Sequence, residues 1–102
     1  MASNIDYLNF VLELLREVDG ITCRKMMGEF MLYRNGIIFG GVYDNRFLVK
    51  KTSINGQYKM SEAIPYPGGS AMLLVDTEDP DEIKEIVLGT LTHFSKKSTT
   101  SI

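Results

Sequence analysis

Residues 30–50 read FMLYRNGIIFGGVYDNRFLVK, and this stretch decides the fold. Asn35-Gly36 favours a two-residue type I′ hairpin turn, which requires positive φ at both central positions. Asp44-Asn45 is suited to a second tight turn. Between and beside these turns the pattern predicts three strands of an antiparallel meander: Phe30–Arg34, Ile37–Tyr43 and Arg46–Lys50. The Gly40-Gly41 pair inside a strand indicates local packing or a bulge, or else close approach of a ligand or a second backbone.

Hairpin geometry sorts the side chains of the meander onto two faces. Two-residue loops predict that Leu32 lies opposite Phe39 and that Val42 lies opposite Phe47. Alternation then gives a first face, expected to carry the helices, made of Met31, Tyr33, Ile38, Val42, Phe47 and Val49. The second face holds Phe30, Leu32, Phe39, Gly41, Tyr43 and Leu48, with Arg34, Arg46 and Lys50 towards the strand ends.

Helices are predicted on both sides of this segment. Ser3 is expected to cap a first helix that ends near Gly20. Its apolar positions recur at helical spacing: Ile5, Leu8, Val11, Leu12, Leu15 and Val18. Asp79 is expected to cap a last helix, because Pro80 suits the first helical position and Glu82 completes a capping box.

The remaining segments complete a two-layer α+β domain. Ile21–Met26 is predicted as a strand, Met27-Gly28-Glu29 as a turn, and 71–76 as an apolar strand. Ile64–Pro67 must be extended because each proline disfavours helix in the residue before it. Residues 52–62 fit either a short helix or a loop. The prediction is a single domain over residues 1–95, with an antiparallel sheet of five to six strands packed with an N-terminal and a C-terminal helix. Residues 96–102 are predicted to be a polar, flexible tail.

Composition excludes several classes of protein. The chain has 102 residues, 44% hydrophobic and 24% charged, which predicts one folded domain rather than disorder. A formal net charge of −2 gives no global attraction for phosphate backbones. The single cysteine, Cys23, cannot form an internal disulfide, and no apolar run approaches the length of a membrane span. A cytoplasmic location is therefore predicted, with no membrane partner.

An ordered set of short motifs resembles the N-terminal domain of the TfoX family. The set is Arg24 to Tyr33, then Asn35-Gly36, then Phe39-Gly40-Gly41-Val42, then Leu48-Val49-Lys50, and finally Pro65-Tyr66 with the acidic start of the last helix. No single motif is specific, but their order is, and the match spans residues 7–94. The resemblance implies an antiparallel sheet packed with helices and a regulatory association with natural competence and transcription. It implies no catalytic residues.

No residue set reads as an active site, so the protein is predicted not to be an enzyme and to need no metal or cofactor. His93 is the only histidine, and a packed or solvated role suits it at the end of a helix. Gly68-Gly69-Ser70 lacks the lysine of a P-loop. The acidic residues of 76–82 are explained mostly by helix capping. Glu29 beside Arg24 and Lys25 is interpreted as a surface ion pair rather than a binding group.

Two functional hypotheses follow. The first is an interaction module, expected to form a homodimer, that acts through protein contacts on its exposed apolar surfaces. The second is binding of a small ligand or single-stranded nucleic acid on an aromatic and basic sheet face, for which weak, salt-sensitive binding is expected. The candidate binding residues for these hypotheses are Arg24, Glu29, Phe30, Phe39, Tyr43, Arg46 and Lys50.

Overall fold

A computed structural model describes residues 3–52 and 60–100, with side chains described as far as residue 92. In chain order its elements are α1 (Ile5–Leu14), β1 (Ile21–Met26), β2 (Glu29–Arg34), β3 (Ile37–Val42), β4 (Phe47–Val49), β5 (Glu62–Ala63), β6 (Met72–Leu74) and α2 (Pro80–Thr100). The strands form one antiparallel sheet in the order β1-β2-β3-β4-β6-β5. The predicted α+β fold is confirmed. No helix in the described ranges is long and apolar enough to cross a bilayer.

Three two-residue turns build the meander. Asn35-Gly36 has positive φ at both positions, as predicted, and the predicted tight turn at Asp44-Asn45 has the same backbone conformation. Met27-Gly28 forms a third turn of the same kind, with φ of 53° and 84°. Glu29, predicted as part of that turn, is instead the first residue of β2.

The predicted register of the first hairpin is wrong beyond Tyr33. Tyr33 pairs with Ile38 as expected, but Leu32 pairs with Gly40, so Phe39 is the extra residue of a β-bulge. A bulge interrupts the strict alternation of side chains, which places Phe39 and Val42 on the same face although they are three residues apart. Sequence alternation cannot locate a bulge, because Gly40 and Gly41 carry no side chain that would mark a face.

The bulge exchanges the predicted faces of β2. Phe30 and Leu32 lie on the side of the sheet that packs against both helices, here called the helix face. Met31 lies on the opposite side, the outer face. For β3 and β4 the assignment of Val42, Phe47 and Val49 to the helix face, and of Tyr43 and Leu48 to the outer face, is correct.

The main core fills the space between the helix face and the helices. Leu32, Phe39 and Val42 are completely buried there. The helices contribute Leu8, Val11, Leu14, Ile83, Ile86, Val87 and Leu91. A smaller cluster on the outer face contains Tyr43, Leu48 and Met72, packed with Met31, Ala63 and Leu74. Two apolar faces therefore exist, as predicted, but most of the aromatic surface belongs to the helix face.

Close backbone contact explains the glycine pair inside β3. A Cβ atom on Gly40 would lie 2.2 Å from the carbonyl oxygen of Leu48. On Gly41 it would lie 2.6 Å from the carbonyl oxygen of Phe30 and 2.9 Å from the Tyr43 ring. The backbone that approaches each glycine thus belongs to a neighbouring strand of the same sheet.

The helix ends show one capping prediction corrected and another confirmed. Asn4, not Ser3, caps α1, since its side-chain oxygen accepts a hydrogen bond from the Asp6 amide at 2.6 Å. Asp79 caps α2 and accepts from the Asp81 amide at 3.0 Å. The first helix ends at Leu14, well before Gly20.

Parts of the remaining chain differ from the predicted boundaries or lie outside the described residues. The second helix continues to Thr100, so residues 96–100 of the predicted tail are helical. Ile64–Pro67, predicted to be extended, instead bends at Pro65 and Tyr66 and enters a turn closed by a hydrogen bond from the Gly69 amide to the Tyr66 oxygen at 2.9 Å. The strand predicted over 71–76 is shorter. Most of the ambiguous segment 52–62, and the side chain of His93, lie outside the described residues.

Candidate interaction surface

The seven candidate binding residues do not form one surface. Phe30 and Phe39 belong to the main core, so their predicted position on an open sheet face is wrong. Tyr43 is also buried, in the outer-face cluster. Arg46 and Lys50 flank strand β4 and are half-buried, while Arg24 is exposed on β1 at the far side of the sheet. The structure instead brings Glu29 and Arg46 into one cleft beside Tyr66, and Tyr43 and Lys50 into another beside the same ring.

Glu29 has a structural role rather than the predicted ion pair with Arg24 or Lys25. Its carboxylate accepts a hydrogen bond from the hydroxyl of Ser3 and another from the backbone amide of Asp44. These bonds join the start of β2 to the chain before α1 and to the β3–β4 turn. They use the carboxylate oxygens within the domain, which leaves the cations of β1 without this partner.

A shallow cleft on the outer face lies beside Tyr66. It has a volume of about 330 Å³ and is lined by Glu29, Asp44, Arg46, Ile64, Pro65, Tyr66 and Pro67. The Arg46 guanidinium donates to the backbone oxygens of Tyr43 and Ile64, at 3.2 and 3.0 Å, so it holds the Ile64–Pro67 segment against β4. Burial, reinforced by Tyr66 and Glu29, raises the pKa of the Tyr43 hydroxyl. These contacts make Arg46 part of the cleft wall, while Tyr43 lines a neighbouring cleft that also contains Tyr66.

Strand β1 forms the long open edge of the sheet. It pairs with β2 along all six residues, and no described strand lies beyond it. The two-residue turn makes Met26 and Glu29 a hydrogen-bonded pair, and such pairs recur at every second residue. At the other end the Asn35 amide donates to the Gly20 oxygen at 2.9 Å, which fits this alternation. The amides and carbonyls of Ile21, Cys23 and Lys25 therefore point away from the sheet.

The side chains of β1 are as accessible as its backbone edge. Ile21 is half-buried against the main core, and the five residues from Thr22 to Met26 are exposed. Arg24 and Lys25 point to opposite faces because they are adjacent in a strand. Neither forms an ion pair with a described residue. The edge therefore offers backbone donors and acceptors together with two cations.

The tip of the β1–β2 hairpin carries exposed methionines. Met27 is 96% exposed, and Met26 beside it is 49% exposed. Met27 also has a φ of +53°, a left-handed conformation that costs a residue with a Cβ atom roughly 1–2 kcal/mol. Asparagine or glycine would fit the turn better. A flexible, apolar side chain in that position is typical of an adaptable contact surface.

Sequence reasoning included Arg24 but missed Lys25, Met26 and Met27. A signal for them exists in Ile21–Met26, where only the first and last residues are strongly apolar. A strand without apolar alternation has no buried face and belongs at a sheet edge.

Comparisons with family models, curated proteins and solved structures found no match. Within residues 3–52 and 60–92, whose side chains the structure describes, no group of three or more metal-ligating side chains comes together.

Proposed function

We propose that this protein is a non-enzymatic interaction module that extends its sheet by one strand contributed by a partner chain. The observation that carries the proposal is the open edge of β1, whose outward backbone groups and side chains from Thr22 to Met26 are accessible. The motif resemblance to the TfoX N-terminal domain supports a regulatory role, and a module that acts by protein contacts suits such a role.

Addition of a strand would use groups that the fold already presents. Three residues, Ile21, Cys23 and Lys25, direct an amide and a carbonyl outward, so a partner strand could form a ladder along the whole of β1. Main-chain hydrogen bonds supply affinity in this mode of recognition, and side chains supply specificity. The edge is already ordered by β2, which reduces the entropy cost of binding.

A second copy of the chain is the second candidate for the partner, in agreement with the predicted homodimer. In a two-fold antiparallel pairing, residues with outward groups must lie opposite one another. The register centred on Cys23 satisfies this condition with Ile21 opposite Lys25. The neighbouring register would place Arg24 directly opposite its own copy, which is destabilising. The register centred on Cys23 therefore avoids placing identical charges directly opposite one another.

A proline at the centre of the edge tests strand addition. Cys23→Pro removes an outward amide but no hydrogen bond to β2, and edge strands tolerate proline at such positions. Cys23→Ser keeps the amide and is the matched control. Light scattering over a concentration series would show a dimer for the wild type and Cys23→Ser, and a monomer for Cys23→Pro, if the partner is a second copy.

A different partner gives a different result. The wild type would then remain a monomer, and a bound extended peptide would protect the amides of Ile21, Cys23 and Lys25 from hydrogen exchange. Strand addition would be refuted if Cys23→Pro remained folded and left both self-association and peptide binding unchanged.

A further inference from the structure

The charges on β1 indicate which kind of strand its edge accepts, an inference that rests on the proposed function. Arg24 and Lys25 are exposed neighbours, and no described carboxylate neutralises either of them. The nearest acidic side chain along the hairpin, Glu29, is held by Ser3 and Asp44. Asp19, before β1, is paired with Arg34 at 2.8 Å. The edge is thus locally cationic in a chain whose net charge is −2.

We propose that β1 binds an extended acidic segment of another protein, with two consecutive acidic residues opposite Lys25 and Arg24. Consecutive residues are required because the two cations point to opposite faces of the sheet, and a partner strand alternates in the same way. Opposite charges on directly facing residues stabilise a strand pair, whereas like charges destabilise it.

The same cations select against a second copy. Lysine and arginine on a sheet edge discourage pairing with an identical edge. A dimer centred on Cys23 would bring two arginines and two lysines close to one short ladder, whereas an acidic strand would place one carboxylate opposite the single cation on each face. Specificity would then come from repulsion of the wrong strand as well as attraction of the right one.

The hairpin tip extends the surface at one end. Met26 and the adjoining Met27 lie beyond Lys25 and are exposed. In an antiparallel complex they would meet the partner residue that precedes the acidic pair, so an apolar residue is favoured there. The partner is accordingly an extended segment with one apolar residue followed by two acidic residues.

Three hexapeptides test this inference on the full chain. The probe is Val-Glu-Glu-Val-Thr-Val, and the controls replace both glutamates with glutamine or with lysine. Titrations followed by NMR are expected to give a dissociation constant about tenfold lower for the glutamate peptide than for the glutamine peptide. The lysine peptide should bind more weakly still. The double variant Arg24→Gln/Lys25→Gln should bind the glutamate and glutamine peptides equally.

The edge variants separate failure of the inference from failure of the proposed function. Cys23→Pro should abolish peptide binding, and Cys23→Ser should retain it. Equal affinity for all three peptides, lost in Cys23→Pro, would overturn the acidic preference but leave strand addition intact. Binding that survives in folded Cys23→Pro would overturn both, and so would a wild type that is monomeric and binds none of the peptides.

A measurement on the wild type removes any dependence on the folding of the proline variant. The glutamate peptide should slow hydrogen exchange at the amides of Ile21, Cys23 and Lys25. The inward-pointing amides of Thr22 and Arg24 serve as internal controls, because they already bond to β2. Protection elsewhere with none at the three outward amides would overturn both proposals.

Discussion

Truncation of Leu32 and of its neighbour Met31 tests the bulge on which the two faces depend. Leu32 is completely buried in the main core, and Met31 is half-buried in the outer-face cluster. Leu32→Ala removes three buried carbon atoms, which at ~0.8 kcal/mol each is about 2.4 kcal/mol. The cavity left in a close-packed core adds to this loss, so we expect destabilisation of about 3 kcal/mol. Met31→Ala should cost about 1 kcal/mol, because its side chain is already partly solvated.

Urea denaturation of the two variants provides the measurement. Both should shift the midpoint of unfolding while the dependence of the unfolding free energy on urea concentration stays unchanged. In a thermal scan each kcal/mol corresponds to roughly 4–8 °C for a domain of about this size. The simple alternating register, without a bulge at Phe39, requires Met31→Ala to be the more damaging substitution. That ranking, or equal effects of the two variants, would refute the bulge and the faces derived from it.

Three further predictions concern other parts of the fold. Gly40→Ala should destabilise the protein far more than Gly36→Ala in urea denaturation. The new Cβ atom at position 40 would lie 2.2 Å from the Leu48 oxygen. The new Cβ atom at position 36 would meet open space, so the only cost there is that alanine adopts the left-handed conformation less readily than glycine. Asp79→Ala should lower the unfolding free energy by about 1 kcal/mol through loss of the α2 cap, and Asp79→Asn should restore most of it. The hydrogen bond and charge of Arg34 lower the pKa of the Asp19 carboxyl. This pair therefore stabilises the fold at pH values above the pKa of Asp19 in the unfolded chain, and the stabilisation is lost as the pH falls through the pKa of Asp19 in the folded protein. Arg34→Gln should raise the Asp19 pKa in an NMR titration.

Local chemistry made most of the sheet predictable. The Asn35-Gly36 and Asp44-Asn45 turns could be assigned because few residue pairs tolerate positive φ, and the structure shows it at all four positions. The Asp79 cap was equally local. Met27-Gly28 is a turn of the same kind, but a methionine there conceals the signal. Its assignment as a three-residue turn displaced the start of β2 by one residue.

The candidate site was less predictable because it depends on long-range packing. The positions of Phe30 and Phe39 depend on a bulge in the pairing of β2 with β3, which alternation along the sequence does not reveal. The predicted role of Glu29 failed for a related reason. Its partners Ser3 and Asp44 are distant in sequence, whereas Arg24 and Lys25 are near. Sequence proximity favoured an ion pair that the folded chain replaces with hydrogen bonds.

The bulge also removes two of the rings on which the nucleic-acid hypothesis depended. Stacking of bases needs exposed aromatic rings beside cations, and the hypothesis of an aromatic and basic face depended on Phe30 and Phe39. Both rings are buried against the helices, and Arg46 binds two backbone oxygens. The cations of β1 remain accessible, yet the aromatic residues are absent from their strand. Charge beside an open backbone edge matches the requirements of a peptide strand, whereas the exposed ring of Tyr66 lies beside Lys50 and Lys51 on the outer face.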